Sequence, residues 1–221
     1  MKKRESTPEI EGSFFEEYDM EKKLRIVPAN EASWEHLELV LGEARCHGEK
    51  CYCQRFKLPN PRWRETDDDE RAFLLKLQTN CGNSASTTTS GLIAFWEGEP
   101  VGWCALEPRN VYIKLRTSRV IWAERNEDKN DDKVWAVTCF IVRNGFRKRG
   151  IIYALTRAAV NYAEKRGAHA LEGYPMITEA GKDITWGELH VGAHKAFIAA
   201  GFHEITEPTK RRKVMRVDFL K

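Results

Sequence analysis

Two clusters of residues have types and spacings that could carry chemistry. The first is Arg143-Asn144-Gly145-Phe146-Arg147-Lys148-Arg149-Gly150, a basic, glycine-containing turn between an apolar run and an amphipathic one. Such a turn is a device for anions, because the first amides of a helix have no partner inside it and the helix dipole adds partial positive charge. Gly150 lets the backbone come close to a pyrophosphate. Arg147, Lys148 and Arg149 add charge for contact or for steering. The second cluster is Cys46-x4-Cys51-x-Cys53 with His47 beside it. It lacks the paired C-x2-C knuckles of a structural zinc site and a clear fourth ligand, so no metal is expected. His190 and His194 are four apart on an expected helix face, a metal-compatible spacing without a third ligand, and they read as exposed or substrate-lining residues.

These residues need elements to position them. Val134–Val142 is an apolar run of β-branched and aromatic residues, expected as a central strand. The basic turn follows it, then a helix with Ile151, Ile152, Leu155, Ala158, Ala159 and Tyr162 on one side, ended by Gly167. Ala168–Tyr174 is the next strand, which makes a strand, turn, helix, parallel-strand unit of an α/β chain. Upstream, Leu24–Val27 reads as a first strand. Asn30 can cap a helix carrying Trp34, Leu37, Leu41 and Ala44. Pro59 and Pro61 argue against regular helix in 46–65. Thr66 and Asp69 form a box-like start for a helix with Phe73, Leu74 and Leu77 as its apolar face. Gly91–Trp96 and Val101–Leu106 flank a hairpin turn, and Val120–Ala123 reads as extended. Leu189, Ala193, Ala196, Phe197 and Ala200 trace a late helix ending at Gly201, before strands at Phe202–Ile205 and Val214–Phe219.

The counts bound the rest. The chain has 221 residues, Lys+Arg 36 against Asp+Glu 33, and 42% hydrophobic residues with seven tryptophans. That is enough apolar surface for one folded domain at 23–221 behind a charged tail at 1–22. Near-balanced charge argues against a nucleic-acid partner. The absence of a long apolar run argues against a membrane, and with no export signal seen the chain is expected in the cytoplasm with reduced thiols. A thiol such as Cys139 on an apolar strand is expected to be inert. The chain is expected to be a monomer or homodimer.

At Cys139–Ile152 the sequence resembles the acetyl-coenzyme A motif of the GNAT N-acetyltransferase superfamily. Arg147 and Gly150 fall on the pattern of Arg or Gln, two residues, Gly, one residue, then Gly or Ala, while Ile152 replaces the usual small residue. Ala193–Phe202 resembles the late helix of that family, ending in Gly-Phe. The resemblance implies a mixed, mostly antiparallel central sheet flanked by helices, whose parallel pair splays to admit the pantetheine arm. It implies acetyl-CoA as co-substrate and no metal. Backbone groups of Phe140 and Val142 would hold the arm, and amides from Lys148 through Arg149, Gly150, Ile151 and Ile152 to Tyr153 the pyrophosphate. A backbone N–H at Phe140 or Ile141 would polarise the thioester carbonyl.

Where the late helix of the family commonly offers a tyrosine acid, this chain has Phe197, expected instead to pack on the coenzyme arm. Proton-transfer candidates are then Glu172 and Tyr174 at the end of the strand facing the splay, and Glu107 after the hairpin strand. By analogy with the family, Trp186, Glu188 and the loop before them border an acceptor pocket. Cys51–Gln54, Glu172–Pro175 and Arg212–Arg216 resemble a branch that includes kasugamycin-type aminoglycoside 2'-N-acetyltransferases. The expected reaction is acetylation of a primary amine of a small molecule by direct attack. A protein amine as acceptor and a coenzyme-binding sensor without turnover are the alternatives.

Overall fold

The computed structural model describes residues 23–42, 44, 49–177 and 190–219. The expected tail, Cys46, His47, Trp186 and Glu188 lie outside them. Strands β1 (Leu24–Pro28), β2 (Gly91–Trp96), β3 (Glu99–Pro108), β4 (Val134–Val142), β5 (Ala170–Gly173), β6 (His203–Thr209) and β7 (Arg212–Asp218) form one sheet. Its order is β1-β2-β3-β4-β5-β7-β6, with β4 and β5 parallel and every other neighbouring pair antiparallel. This is the mixed, mostly antiparallel sheet that the resemblance implied. Helices α1 (Trp34–Leu41), α2 (Asn60–Glu65), α3 (Asp68–Thr79), α4 (Ile113–Thr117), α5 (Ile151–Lys165) and α6 (His194–Ala199) accompany it. No helix of the described residues is long and apolar enough to cross a membrane.

The central strands are apolar throughout because both of their faces are covered. Leu92, Cys104, Val137 and Phe140 point to one side, where Leu155, Ala159 and Ala163 of α5 meet them. Ile93, Trp103, Cys139 and Ile141 point to the other, against Leu37 and Leu41 of α1 and Leu75 of α3. β2 and β3 are joined by Glu97 and Gly98 with φ 50° and 88°, the left-handed pair that a two-residue hairpin needs.

Several local expectations are corrected. Ser33 caps α1, its hydroxyl accepting the His36 N–H at 3.4 Å. Asn30 is buried instead, donating to the Asn83 and Ser86 carbonyls at 3.2 Å each. α2 forms despite Pro61, which sits in the first turn where no amide partner is required. Asp67, not Thr66, caps α3, accepting the Glu70 N–H at 2.8 Å. Phe73 and Leu77 are exposed, and α3 docks through Arg71, Leu75 and Thr79. The seam moves because the Arg71 guanidinium finds internal acceptors in the Trp63 and Thr66 carbonyls, at 3.2 and 2.7 Å, and lies 3.8 Å from the centre of the Trp63 ring. Residues 120–123 are turns rather than an extended piece. α6 begins at His194, so His190 and His194 do not share a helix face.

Candidate active site

β4 is nine residues long and β5 is four. They pair from Val134–Ala170 to Val137–Gly173, after which β4 runs on to Val142 without β5. A bulge marks the parting: Val137 faces Leu106 and Cys139 faces Ala105, leaving Thr138 as the extra residue. Beyond it the backbone alternates. Arg143 N–H bonds the Val101 carbonyl of β3 at 2.9 Å, whereas Phe140 N–H points the other way and bonds the His190 carbonyl at 2.6 Å. By the same alternation Phe140 and Val142 turn their backbone groups to the gap, and Ile141 turns its own to β3.

Phe197 packs on the face of the sheet at the inner end of the gap. A Cβ on Gly173 would lie 2.0 Å from Cε1 of Phe197. The ring is fully buried, edge-on to Phe140 at 5.9 Å and to Phe202 at 5.0 Å. It therefore takes the place that a side chain at position 173 would occupy on that face of β5. Phe197 is not among the residues that line the cavity described next.

The gap opens into a cavity of about 280 Å³ lined by Phe140, Val142, Phe146, Arg147, Lys148, Gly150, Ile151, Ile152, Tyr153 and His190. Gly150 holds φ 74° as the residue entering α5, and the first helical bond runs from Ala154 N–H to the Gly150 carbonyl at 3.1 Å. The amides of Ile151, Ile152 and Tyr153 thus have no acceptor within the helix. Lys148 takes a left-handed turn with φ 62°, which only a tightly held loop imposes on a non-glycine residue. Arg147 and Lys148 line the cavity, and Arg147 Nε also donates to the Val142 carbonyl at 3.2 Å. Arg149 is placed otherwise: its guanidinium lies 5.3 Å from the Phe146 ring and 5.5 Å from the Trp96 ring.

A second cavity of about 390 Å³ adjoins, lined by Arg55, Phe56, Pro59, Asn60, Ile113, Lys114, Thr117 and His190. His190 is the one described residue common to both linings. Burial, with Arg55 adding to it, lowers the Lys114 ammonium to about 8. Sequence reasoning did not single out Arg55, Phe56 or Lys114. They come together from the irregular 46–65 segment and a five-residue helix, neither of which carries a motif.

The three proton-transfer candidates are in other company. Glu172 is fully buried, with Oε1 2.9 Å from Arg109, 2.5 Å from Arg125 and 3.3 Å from Arg216. Tyr174 donates its hydroxyl to Glu172 Oε2 at 2.8 Å, and burial with Glu172 beside it pushes the phenol well above its usual range. Glu107 accepts from Ser90 Oγ at 2.6 Å and pairs with the Lys57 ammonium. None of the three lines either cavity. A carboxylate held by three guanidinium groups braces the β5 end.

No curated protein matches the sequence. Among solved structures, one described only as an acetyltransferase aligns at a TM-score of 0.51 with 17% identity, covering 88% of this chain and 98% of that one. A GCN5-related N-acetyltransferase from Kribbella flavida aligns at 0.49 with 14% identity over 90% and 99%. A structure from Salmonella typhimurium, described as an acetyltransferase with its cofactor acetyl-CoA, aligns at 0.47 with 11% identity over 89% and 94%. The model of the acetyltransferase (GNAT) family matches residues 53–174, more than half of the chain and the whole run from β2 through the basic turn to the end of β5. The chain belongs to the GNAT acetyltransferase family.

Proposed function

We propose that this protein transfers an acetyl group from acetyl-CoA to a primary amine of a small molecule, by direct attack with both substrates bound. One observation carries the reading: three amides at the start of a fifteen-residue helix, without helical acceptors, open onto a cavity that continues into the gap between β4 and β5. These residues suit the coenzyme. The amides of Ile151, Ile152 and Tyr153 would hold its pyrophosphate with Arg147 and Lys148 beside them. Phe140 and Val142 would pair with its arm like an added strand.

The coenzyme supplies an activated acyl carbon, and the protein supplies placement. Phe140 N–H is the donor aimed at the carbonyl oxygen that gains charge during attack. It now bonds the His190 carbonyl, so that oxygen must withdraw for the acyl group to seat. His190 borders both cavities and is the side chain best placed to take the proton of the attacking amine. The new N–C bond forms as the C–S bond breaks, and the coenzyme leaves as a thiolate aided by water or backbone dipoles, since Phe197 has no proton to give.

A second cavity of about 390 Å³ is of the size that takes a small acceptor. The narrower reading of a kasugamycin-like aminoglycoside rests on the resemblance of Cys51–Gln54, Glu172–Pro175 and Arg212–Arg216 alone. Supply of acetyl-CoA accords with a cytoplasmic place of action. The reading is tested by calorimetry with acetyl-CoA and by thiol release with a panel of amines. Binding followed by amine-dependent release is expected. Binding with no release for any acceptor would leave a sensor, and no binding would overturn the assignment of the cavity.

A further inference from the structure

The second cavity has a charge of one sign. Its charged lining residues are Arg55 and Lys114, and none of the described residues that line it is acidic. Arg55 lies in the turn Gln54–Phe56 and Lys114 in α4, so folding has brought together two cations that local sequence did not pair. Both sit against the Trp63 ring, at 5.1 and 5.7 Å. Lys114 Nζ is buried and has no hydrogen-bond partner among the described residues.

A buried ammonium beside a second cation is costly unless an anion compensates it. The fold uses its nearby carboxylates elsewhere: Glu107 on Lys57, and Glu172 on Arg109, Arg125 and Arg216. The ring face of Trp63 offsets only part of the cost. No described residue supplies the counter-charge, and a bound anion would.

We propose that the amine acetylated here carries an anionic group, a carboxylate, phosphonate or phosphate, which Arg55 and Lys114 hold in the second cavity. This rests on the acetyl-transfer reading above. Held there, the anion leaves the amine end of the molecule toward His190 and the gap beyond it, because His190 is shared by the two cavities. Arg55 can grip two oxygens of the anion at once, and Lys114 adds a further contact to one of its oxygens. A site built around such a pair rejects an analogue without the charge, whose binding would leave both cations desolvated and unpaired. A polycationic amine meets like charge there. The lowered ammonium of Lys114 fits a group whose counter-ion arrives with the substrate.

The test uses the full chain saturated with acetyl-CoA, whose binding is first measured by calorimetry. Thiol release is then compared for methionine against methioninamide and for 2-aminoethylphosphonate against ethylenediamine, with spermidine as a polycation that carries no anionic group. The anionic member of each pair is expected to win by at least about tenfold in kcat/KM, about 1.4 kcal/mol. Arg55→Gln should raise KM for the anionic acceptor about tenfold while kcat and coenzyme affinity change little, and Arg55→Lys should restore part of the loss. Lys114→Met should weaken the same acceptor yet raise Tm, since it removes a desolvated charge that nothing in the described fold pairs; a purely structural lysine would do the reverse. The proposal is overturned if the partners without an anionic group match the acids, or if spermidine is the preferred acceptor and Arg55→Gln leaves it so. In that case coenzyme binding and release persist, so the failure is separate from any failure of the acetyl-transfer reading.

Discussion

Replacing Gly150 probes the coenzyme site at one atom. This residue enters α5 at φ 74°, ψ 0°, a conformation that costs an L-residue roughly 1–2 kcal/mol and a β-branched one more. Gly150→Ala can keep the turn at that cost, so Tm should fall by about 2–8 °C with coenzyme affinity nearly unchanged. Gly150→Val cannot, and the turn must relax to negative φ, which rotates the amides of Ile151 to Tyr153 away from a common focus. Hydrogen bonds to a charged group are worth about 1.5–3 kcal/mol each, so losing two weakens coenzyme binding by about 3–6 kcal/mol, or roughly 10²- to 10⁴-fold. Calorimetry with coenzyme A measures this directly. Pantetheine, which lacks the pyrophosphate and depends only on Phe140 and Val142, should bind both proteins alike. Wild-type affinity of Gly150→Val for coenzyme A would refute the claim that these amides hold the pyrophosphate.

Other perturbations address the rest of the site. Gly173→Ala sets a methyl where the Phe197 ring now lies 2.0 Å away, so the ring must shift; a Tm loss of about 2–12 °C is expected from overpacking, and Phe197→Leu in the same chain should recover part of it. Additive losses would show that the two residues do not meet. Glu172→Gln leaves three guanidinium groups without their carboxylate and should cost about 3–5 kcal/mol of stability in chemical denaturation, with coenzyme affinity retained by the folded fraction. Full stability with abolished turnover would instead make Glu172 the proton acceptor. His190→Gln should lower kcat more than coenzyme affinity; an unchanged kcat would exclude His190 from proton transfer.

The elements around the proposed coenzyme site were legible in the sequence because their information is local. An apolar run, a basic turn and an amphipathic helix are contiguous, and a left-handed glycine before a helix start defines an anion site from one stretch of backbone. The same local patterning gave β4, α5 and the β2–β3 hairpin nearly to the residue. Patterning failed where a tertiary contact outbid it. The seam of α3 followed the buried Arg71 and not Phe73 and Leu77. Pro61 proved compatible with a helix that starts just before it.

What only the tertiary structure decided is the company each charged group keeps. Sequence supplied Glu172, Tyr174 and Glu107 as carboxylates and a phenol at strand ends, but not that three arginines and a lysine from distant segments occupy them. Nor could it place Arg55, Lys114 and His190 around one cavity, since no periodicity links a turn at 54–56, a short helix at 113–117 and a segment ahead of α6. The reason is physical: helix and strand propensity act over a few neighbouring residues, whereas the cost of burying a charge depends on groups that only the folded chain brings within a few ångströms.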